Sequence, residues 1–401
     1  MTRTTVTQDA EPTALAAAGE LLVFADDWGR HPSSCQHLVR RLRGDYRVLW
    51  VNTIGTRSPK ADGFTLRRGF EKLNQWRRGL QRESATMSVL DLPMLPRVGG
   101  WLAETTNRAL AGAGLRFALR QCGMERPVVL TTLPFVANLA RNVPRSGLVY
   151  YCTDDFSHWP GADRDSLLAA ERETLAQADL VLPVSRALEA RLQAAAPAQS
   201  RVQYFPHGVD CRHFARTQSA TPVAEVARLP GPRIGFFGLI YEKLDFELLS
   251  AVARHWATGS LVLIGPCDFC PEEFRGLPNV HLLGAQPYQD LPQWLAGLDV
   301  LLLPYVNDEM IRQSSPLKLR ECLAAGKPTV SVDVAEVRRL EPHVRVATNC
   351  AEFVAAVGQA LAPETAQAPR DRQNAVADDD WDCRAAELRR LIESLPARNV
   401  Y

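Results

Sequence analysis

A chain of 401 residues carries two or three domains' worth of core, and 46% apolar with 23% charged residues is the composition of an ordinary soluble globular protein. A formal net charge of +1 excludes a global drive toward nucleic acid or membrane, so any such attraction must be local. Nine scattered cysteines, several in apolar runs, fit buried thiols in a reducing compartment, and neither a signal-peptide start nor an apolar run of about 18 residues is present, so a cytoplasmic location is expected.

In chain order, residues 1–19 predict a loose polar tail. Leu21–Phe24 predicts a strand, followed by the loop ADDWGRHPSSCQ, a helix over Cys35–Leu42 and a strand at Arg47–Val51. This opening lacks G-x-G-x-x-G, which argues against a dinucleotide fold and a nicotinamide dehydrogenase. Residues 67–83 place Phe70, Leu73, Trp76 and Leu80 on one helical stripe among Arg67, Arg68, Lys72, Arg77, Arg78 and Arg82. Such a basic amphipathic helix suits an anionic membrane surface, or simply packs on its own domain. Trp101–Cys122 predicts a long helix with a close-packed A-G-A-G at 111–114, and Pro127–Thr132 and Leu148–Cys152 predict strands. The last of these opens onto T-D-D-F-S-H-W-P. Ligands bind at the carboxyl ends of strands in α/β sheets, which makes Asp154, Asp155 and His158 the site candidates here; helix capping or loop hydrogen bonding is the plainer alternative.

Helices over Arg164–Gln177, with D-R-D at 163–165 read as capping and not as a metal motif, and Arg186–Ala195 flank the strand-like A-D-L-V-L-P-V-S. After Y-F-P-H-G-V-D at 204–210, residues Arg212–Pro232 are polar with three prolines and predict a linker. Arg233–Phe237 and Ser260–Gly265 predict strands, and Cys267 with Cys270 is a C-x-x-C with no second half to complete a zinc set. In 299–333 an apolar run, Asp299–Tyr305, leads through a polar loop to a helix and a strand at Thr329–Val332. Ser314 and Ser315 predict the helix N-cap, Pro316 its first position, and Gly326 with Pro328 its end. Ser314, Lys318 and Glu321 share one face. A helix N-terminus with a cation in its first turn is an anion site suited to a diphosphate, and Glu321, one turn deeper, can accept two sugar hydroxyls. A routine Lys318–Glu321 pair on a solvated face is the bland alternative. A helix at Ala351–Leu361, a Pro/Ala/Gln-rich connection and a final helix over Trp381–Leu395, started by D-D-D at 378–380, complete the chain.

The run S-P-L-K-L-R-E-C-L-A-A-G-K-P-T-V resembles the nucleotide-sugar signature of GT-B glycosyltransferases, in particular family 4 (group 1) enzymes of bacterial polysaccharide biosynthesis. The resemblance runs from about residue 20 to the end and is strongest over 204–333. It implies an α/β fold of GT-B architecture, two Rossmann-like domains facing a cleft with the C-terminal helix returning to the N-terminal domain. The acceptor-binding domain would span 20–211, completed by 378–401, and the nucleotide-sugar-binding domain 233–377. It further implies that Glu321 holds the donor ribose. The family's first glutamate, eight positions earlier, is replaced by Gln313; the usual arginine after the first strand of the second domain is Leu239, with Lys243 a near match for the lysine that follows. Donor contacts are thereby expected at Gly238, Lys243, Gln313, Ser314, Ser315, Pro316, Leu317, Lys318 and Glu321. Asp154, His158 and Lys243 are expected at the chemistry, and Asp26, Asp27, Trp28, Asp155, His207 and Gly208 at the acceptor or cleft, with Ser185 a weaker contact.

The expected function is retaining transfer of a sugar from a nucleotide-diphosphate sugar to a glycan, lipid-linked or small-molecule acceptor, with neither metal nor other cofactor, no nucleic-acid partner, and an anionic membrane surface contacted through residues 67–83 at the inner face of the membrane. A non-catalytic binding or assembly module and a nucleotide-sugar epimerase are the alternatives. Gln313, Leu239 and the place of the histidine that the family often has just after the Leu148–Cys152 strand, where Thr153 and Asp154 stand and His158 comes later, favour the module.

Overall fold

The computed structural model describes residues 19–30, 33–52, 79–92, 101–141, 143–158 and 163–396, with residues 101–110 described as backbone alone. These fall into two compact units. The first holds the described residues up to Thr131 together with Val136–Leu148, and the second holds Thr132–Phe135 and Val149–Leu395.

The first unit contains β1 (Gly19–Ala25), β2 (Tyr46–Asn52), β3 (Leu80–Arg82), β4 (Met87–Asp91) and β5 (Val128–Thr131). The order β4-β2-β1-β5 is parallel, and β3 runs antiparallel along β4. Leu21–Ala25 and Val48–Val51 are buried without interruption, which is why these strands read as apolar runs instead of alternating. Helix α1 (Ser34–Leu42) is capped by Ser33, whose side chain accepts from the Gln36 amide. In α2 (Trp101–Gln121) a Cβ on Gly114 would sit 2.8 Å from Leu92, so this glycine is a close-packed point as expected.

The basic helix expected to reach residue 83 does not do so. Leu80–Arg82 is a strand entered through Gly79 at φ 60°, because pairing Leu80 with Leu90 and Gln81 with Val89 overrides the helical stripe. Residues 67–78 lie outside the described residues.

In the second unit, β6 (Gly147–Cys152, here from Val149), β7 (Leu180–Pro183) and β8 (Arg201–Val202) are parallel neighbours, accompanied by α3 (Arg164–Gln177) and α4 (Arg186–Ala195). Asp163 caps α3, as its sequence implied. The same unit carries a six-stranded parallel sheet of β9 (Arg233–Phe237), β10 (Ser260–Ile264), β11 (Val280–Leu282), β12 (Val300–Leu303), β13 (Thr329–Val332) and β14 (Arg345–Ala347). Its order is β11-β10-β9-β12-β13-β14, the doubly wound pattern in which direction reverses between β9 and β12. A ligand crevice belongs at the carboxyl ends of those two strands. Around this sheet pack α5 (Phe246–His255), α6 (Glu309–Gln313), α7 (Leu317–Ala324) and α8 (Cys350–Ala360), followed by α9 (Ala368–Asn374) and α10 (Trp381–Glu393).

Two segments expected as plain connections are partly helical. In 212–232 the turns Cys211–Ala215 and Ala224–Ala227 bury Phe214 and Val226, and in the stretch after α8, Arg372 of α9 is buried with its guanidinium on the Gly326 carbonyl and Glu364. The sequence-expected domain division near 211–233 falls inside the second unit. The terminal helix α10 returns to the segment after β8. The Trp381 amide donates to the Val209 carbonyl at 3.0 Å, and a Cβ on Gly208 would lie 2.5 Å from the Trp381 ring.

Candidate active site

At the end of β9 the backbone turns through Gly238 at φ 139°, and at the end of β10 through Gly265 at φ 151°. A Cβ on Gly265 would fall on the Gly238 carbonyl, so the two loops touch through backbone alone. Further along, the Ile240 amide donates to Pro266 O, Asp245 N to Pro304 O, and Val306 N to Lys243 O. The loops after β9, β10 and β12 are therefore fastened to one another by main chain. Lys243 donates to the Asp308 carboxylate, which also caps α6 by accepting from Ile311 N at 2.9 Å. Burial alone raises the Asp308 carboxyl, but the bonds from Lys243 and the Ile311 amide outweigh it and hold it below the usual range.

The stretch between β12 and α7, expected as a polar loop with two capping serines, contains α6 instead. Asp308 caps it. The Ser314 hydroxyl donates back to Ile311 O at 2.8 Å, Ser315 accepts from Arg320 at 3.2 Å, and Pro316 is the N-cap of α7 and not its first residue. Proline has no side-chain oxygen, so no side chain caps α7. Within its first turns, beyond half-buried Leu317, Lys318 donates to Glu321 at 2.6 Å and lies 4.7 Å from the centre of the Phe237 ring. Its Cε would be 3.1 Å from a Cβ on Gly238. The ammonium therefore lies at the carboxyl end of β9, beside the glycine turn, while Glu321 is almost completely buried behind it.

The loop after β6 is held by Asp155. Its carboxylate accepts from Ser157 Oγ at 2.6 Å and lies 3.1 Å from His158 Nδ1 and 3.5 Å from Arg191 Nε. Arg191 in turn grips Glu171, which accepts from Tyr150 Oη at 2.9 Å. Burial would raise the Asp155 carboxyl; the Ser157 bonds and the Arg191 and His158 charges hold it below the usual carboxylate range. Asp155 is thus an anchor of the loop, holding His158, while its own amide donates to Asp154 Oδ1 at 2.8 Å. Burial first, and then the Asp154 charge, push the Tyr241 phenol up to about 12. The Glu309 carboxyl is held below the usual range chiefly by its bond from Gln313, with Arg312 adding to it. Gln313 donates from Nε2 to Glu309 Oε1 at 2.8 Å, and its carbonyl accepts from Ser185 Oγ at 2.6 Å. Nearby, buried Glu336 accepts from Arg186 N at 2.6 Å and Tyr204 Oη at 2.9 Å.

The expected residues Asp154, His158, Gly238, Lys243, Gln313, Leu317, Lys318 and Glu321 all belong to the second unit, with Gly238, Lys318 and Glu321 together at the carboxyl end of β9. His207 and Gly208 are elsewhere. Gly208 lies against Trp381, and His207 is buried near Tyr151 with its imidazole depressed to about 3, first by burial and then by Arg320. In the first unit Asp26 is a scaffold: its carboxylate accepts from Ser33 Oγ at 2.8 Å and Gln36 Nε2 at 2.7 Å, and burial holds it above the usual range despite those bonds. Trp28 rests its edge on Trp50 at 4.8 Å with Arg40 over its ring, and Asp27 lies 3.6 Å from Arg30. Among the described residues no group of three or more His, Cys, Asp or Glu is arranged to hold a metal ion.

Sequence reasoning missed Tyr241, Asp308, Glu309, Glu336 and Gly265. Asp308 had a local signal, an Asp three residues before the buried Ile311, which is a capping arrangement. Glu309 is paired locally with Gln313, while Tyr241 and Glu336 are defined by partners 60 or more residues away and Gly265 by backbone shape.

Residues 231–363, which contain the whole six-stranded sheet and α6–α7, match the family of glycosyl transferases group 1. That match and the fold together are similar to those of GT-B glycosyltransferases, with the group 1 likeness over residues 231–363. The chain is 25% identical over 278 residues to TuaH of Bacillus subtilis (strain 168), named as a teichuronic acid biosynthesis glycosyltransferase, covering 65% of this chain and 70% of that one. Its fold resembles sucrose-phosphate synthase of Thermosynechococcus elongatus, with TM-score 0.69 and 14% identity over 94% of this chain and 99% of that one. It also resembles Anabaena HepE solved in complex with UDP-glucose, with TM-score 0.63 and 16% identity over 94% and 100%.

Proposed function

We propose that the chain transfers a sugar from a nucleotide-diphosphate sugar to a glycan or lipid-linked acceptor, with retention of configuration. The observation that carries this reading is the placement of Lys318 and the side-chain-uncapped start of α7 at the carboxyl end of β9, inside the group 1 domain and at the switch point of its sheet. A departing nucleoside diphosphate gathers negative charge, and a fixed ammonium with helix N–H groups in a half-buried crevice stabilises it without reorganising. In this reading the diphosphate draws Lys318 from Glu321, Glu321 takes the ribose hydroxyls, and Lys243, held by Asp308, supplies a second cation. Asp154 and His158, fixed through Asp155, orient the reacting sugar and the acceptor. Residues 233–377 serve the donor and 20–211 with 378–401 the acceptor, where Trp28 offers an aromatic face to a sugar. The HepE complex with UDP-glucose and the teichuronic acid name of TuaH support a nucleotide-sugar donor and a polysaccharide acceptor.

Calorimetric titration with nucleoside diphosphates tests it. Lys318→Ala and Glu321→Ala are each expected to weaken binding at least tenfold, about 1.4 kcal/mol, with the melting transition retained. Unchanged affinity in both would remove α7 from the site.

A further inference from the structure

The pair Cys267 and Cys270, which lacks the second half of a zinc set, stands on the loop after β10, two residues beyond the Gly265 turn that meets the Gly238 carbonyl. The proposed donor site uses neither thiol. Cys35, Cys152 and Cys322 are buried, as thiols that only fill core space are, but Cys267 is exposed and Cys270 is half-buried against the core of the second unit. Both sulfurs are free. The chain bends between them. The amides of Asp268 and Phe269 both donate to the one carbonyl of Ile240, at 2.9 and 3.3 Å, and Ile240 pairs in parallel with Cys267 itself. Four residues turned about a single oxygen keep their ends within the roughly 7 Å of Cα separation that a disulfide can span. Asp268 and Phe269, at the tip, are exposed, so no buried side chain there holds the bend to one shape. Among the described residues no third His, Cys, Asp or Glu joins the two thiols as a metal set.

We propose that Cys267 and Cys270 are a reversible oxidation site, closed to a disulfide by low-molecular-weight disulfides, and that closing it weakens the crevice for nucleoside diphosphate. The exposed Cys267 meets the oxidant. Its thiolate, having given its proton to solvent, attacks one sulfur of the small disulfide, forming a mixed disulfide and releasing one small thiolate, which takes up a proton. The Cys270 thiolate then attacks the Cys267 sulfur, the protein disulfide forms, and the second small thiol leaves. Two cysteine thiols are oxidised and one small disulfide is reduced to two thiols; an excess of small thiol runs both steps backwards. Burial above all pushes the Cys270 thiol up, against the nearby Arg275, and the Cys267 thiol adds to the rise, which suits Cys267 to the first step and Cys270 to the second. The crevice feels the closure through main chain. A disulfide holds its Cβ atoms about 3.8 Å apart, so the bend redraws around the Ile240 carbonyl. Ile240 is two residues from Gly238, whose carbonyl lies where a Cβ on Gly265 would fall, and the Ile240 amide is itself held by Pro266 O at 2.9 Å. Neither loop has slack at that contact, so a shift at Ile240 is passed to the Gly238 turn beside Lys318.

The oxidation site stands apart from the donor reading, its effect on the crevice rests on that reading, and the experiment separates the two. Wild type, Cys267→Ser and Cys270→Ser are equilibrated with glutathione and glutathione disulfide over a range of ratios, blocked with an alkylating agent and digested with trypsin. The peptide from residue 255 to 275 carries both cysteines, and from oxidised wild type it is expected unalkylated and lighter by the two thiol hydrogens. In each serine variant the remaining cysteine is expected alkylated or joined to glutathione. Unblocked samples are titrated calorimetrically with UDP, GDP, TDP and ADP. The one that reduced wild type binds is expected to bind oxidised wild type about fivefold more weakly, with full recovery on reduction and no such loss in Cys267→Ser. Linkage requires that saturating nucleotide raise the proportion of glutathione disulfide needed for half oxidation by the same factor. If no disulfide joins the two cysteines at any ratio, the proposal falls while the donor reading stands. If the disulfide forms and the affinity is unchanged, its effect on the crevice falls. If reduced wild type binds none of the four, the donor reading fails and takes that effect with it.

Discussion

At the residue scale, the pairings decide which side chains are available for chemistry. Lys318 and Glu321 were legible in the sequence because their spacing on a helix closed by Gly326 and Pro328 needs only local geometry. The roles of Asp155 and His207 were not legible. Asp155 is consumed by Ser157, His158 and Arg191, and His207 by burial near Tyr151 and Arg320, partners that local sequence does not reveal. His207 gives a pH signature. Its folded value of about 3 lies below the ordinary value of about 6.5, so the unfolded chain binds a proton that the native state does not. Its contribution is fully present above pH 6.5 and is lost as pH falls from there toward 3, at about 1.4 kcal/mol per pH unit. His207→Gln should therefore show a stability loss between pH 7 and pH 5 smaller than that of wild type by about 2 kcal/mol, read by urea unfolding at both values. Equal losses would mean that His207 is protonated in the native protein.

At the scale of elements, periodicity located the buried strands and longer helices closely. Arg233–Phe237 and Thr329–Val332 fall where their apolar runs placed them, since a strand covered on both faces has little choice of composition. Short elements were missed for the opposite reason. Helix α6 is five residues long and owes its place to the Asp308 cap, the Ser185 tie and the neighbouring loops more than to any periodic face. Likewise β3 forms only because β4 lies beside it. The turn at Gly265 is the element on which the crevice depends most. Gly265→Ala would put a Cβ into the Gly238 carbonyl at a φ that L-residues avoid, so the β9 and β10 loops must part. Nucleoside diphosphate binding should be lost in this variant, together with several degrees of melting temperature, while the neighbouring Gly284→Ala, at φ 69° but with open space around it, should lose stability and keep the site. Equal nucleotide affinity in Gly265→Ala and wild type would show that the loop contact does not shape the site.

At the scale of the whole molecule, the strand order β11-β10-β9-β12-β13-β14 fixes where a ligand belongs before any side chain is considered. The sequence predicted the four central strands β10, β9, β12 and β13 from their apolar runs, but not the three-residue edge strands β11 and β14, which are too short to show a pattern. It could not place the loop after β6 beside α6 and Tyr241, since that depends on how distant segments of the second unit fold together. Among the described residues no helix is long and apolar enough to cross a membrane. The central claim is that the crevice at β9 and β12 binds a nucleoside diphosphate. A thermal-shift panel of UDP, GDP, TDP, ADP and NAD measures it directly, because a ligand that binds only the folded state adds roughly 2.7 kcal/mol at 100 times its dissociation constant. One nucleoside diphosphate should raise the melting temperature by several degrees, and NAD should not. No shift with any nucleoside diphosphate, or a shift with NAD alone, would contradict it.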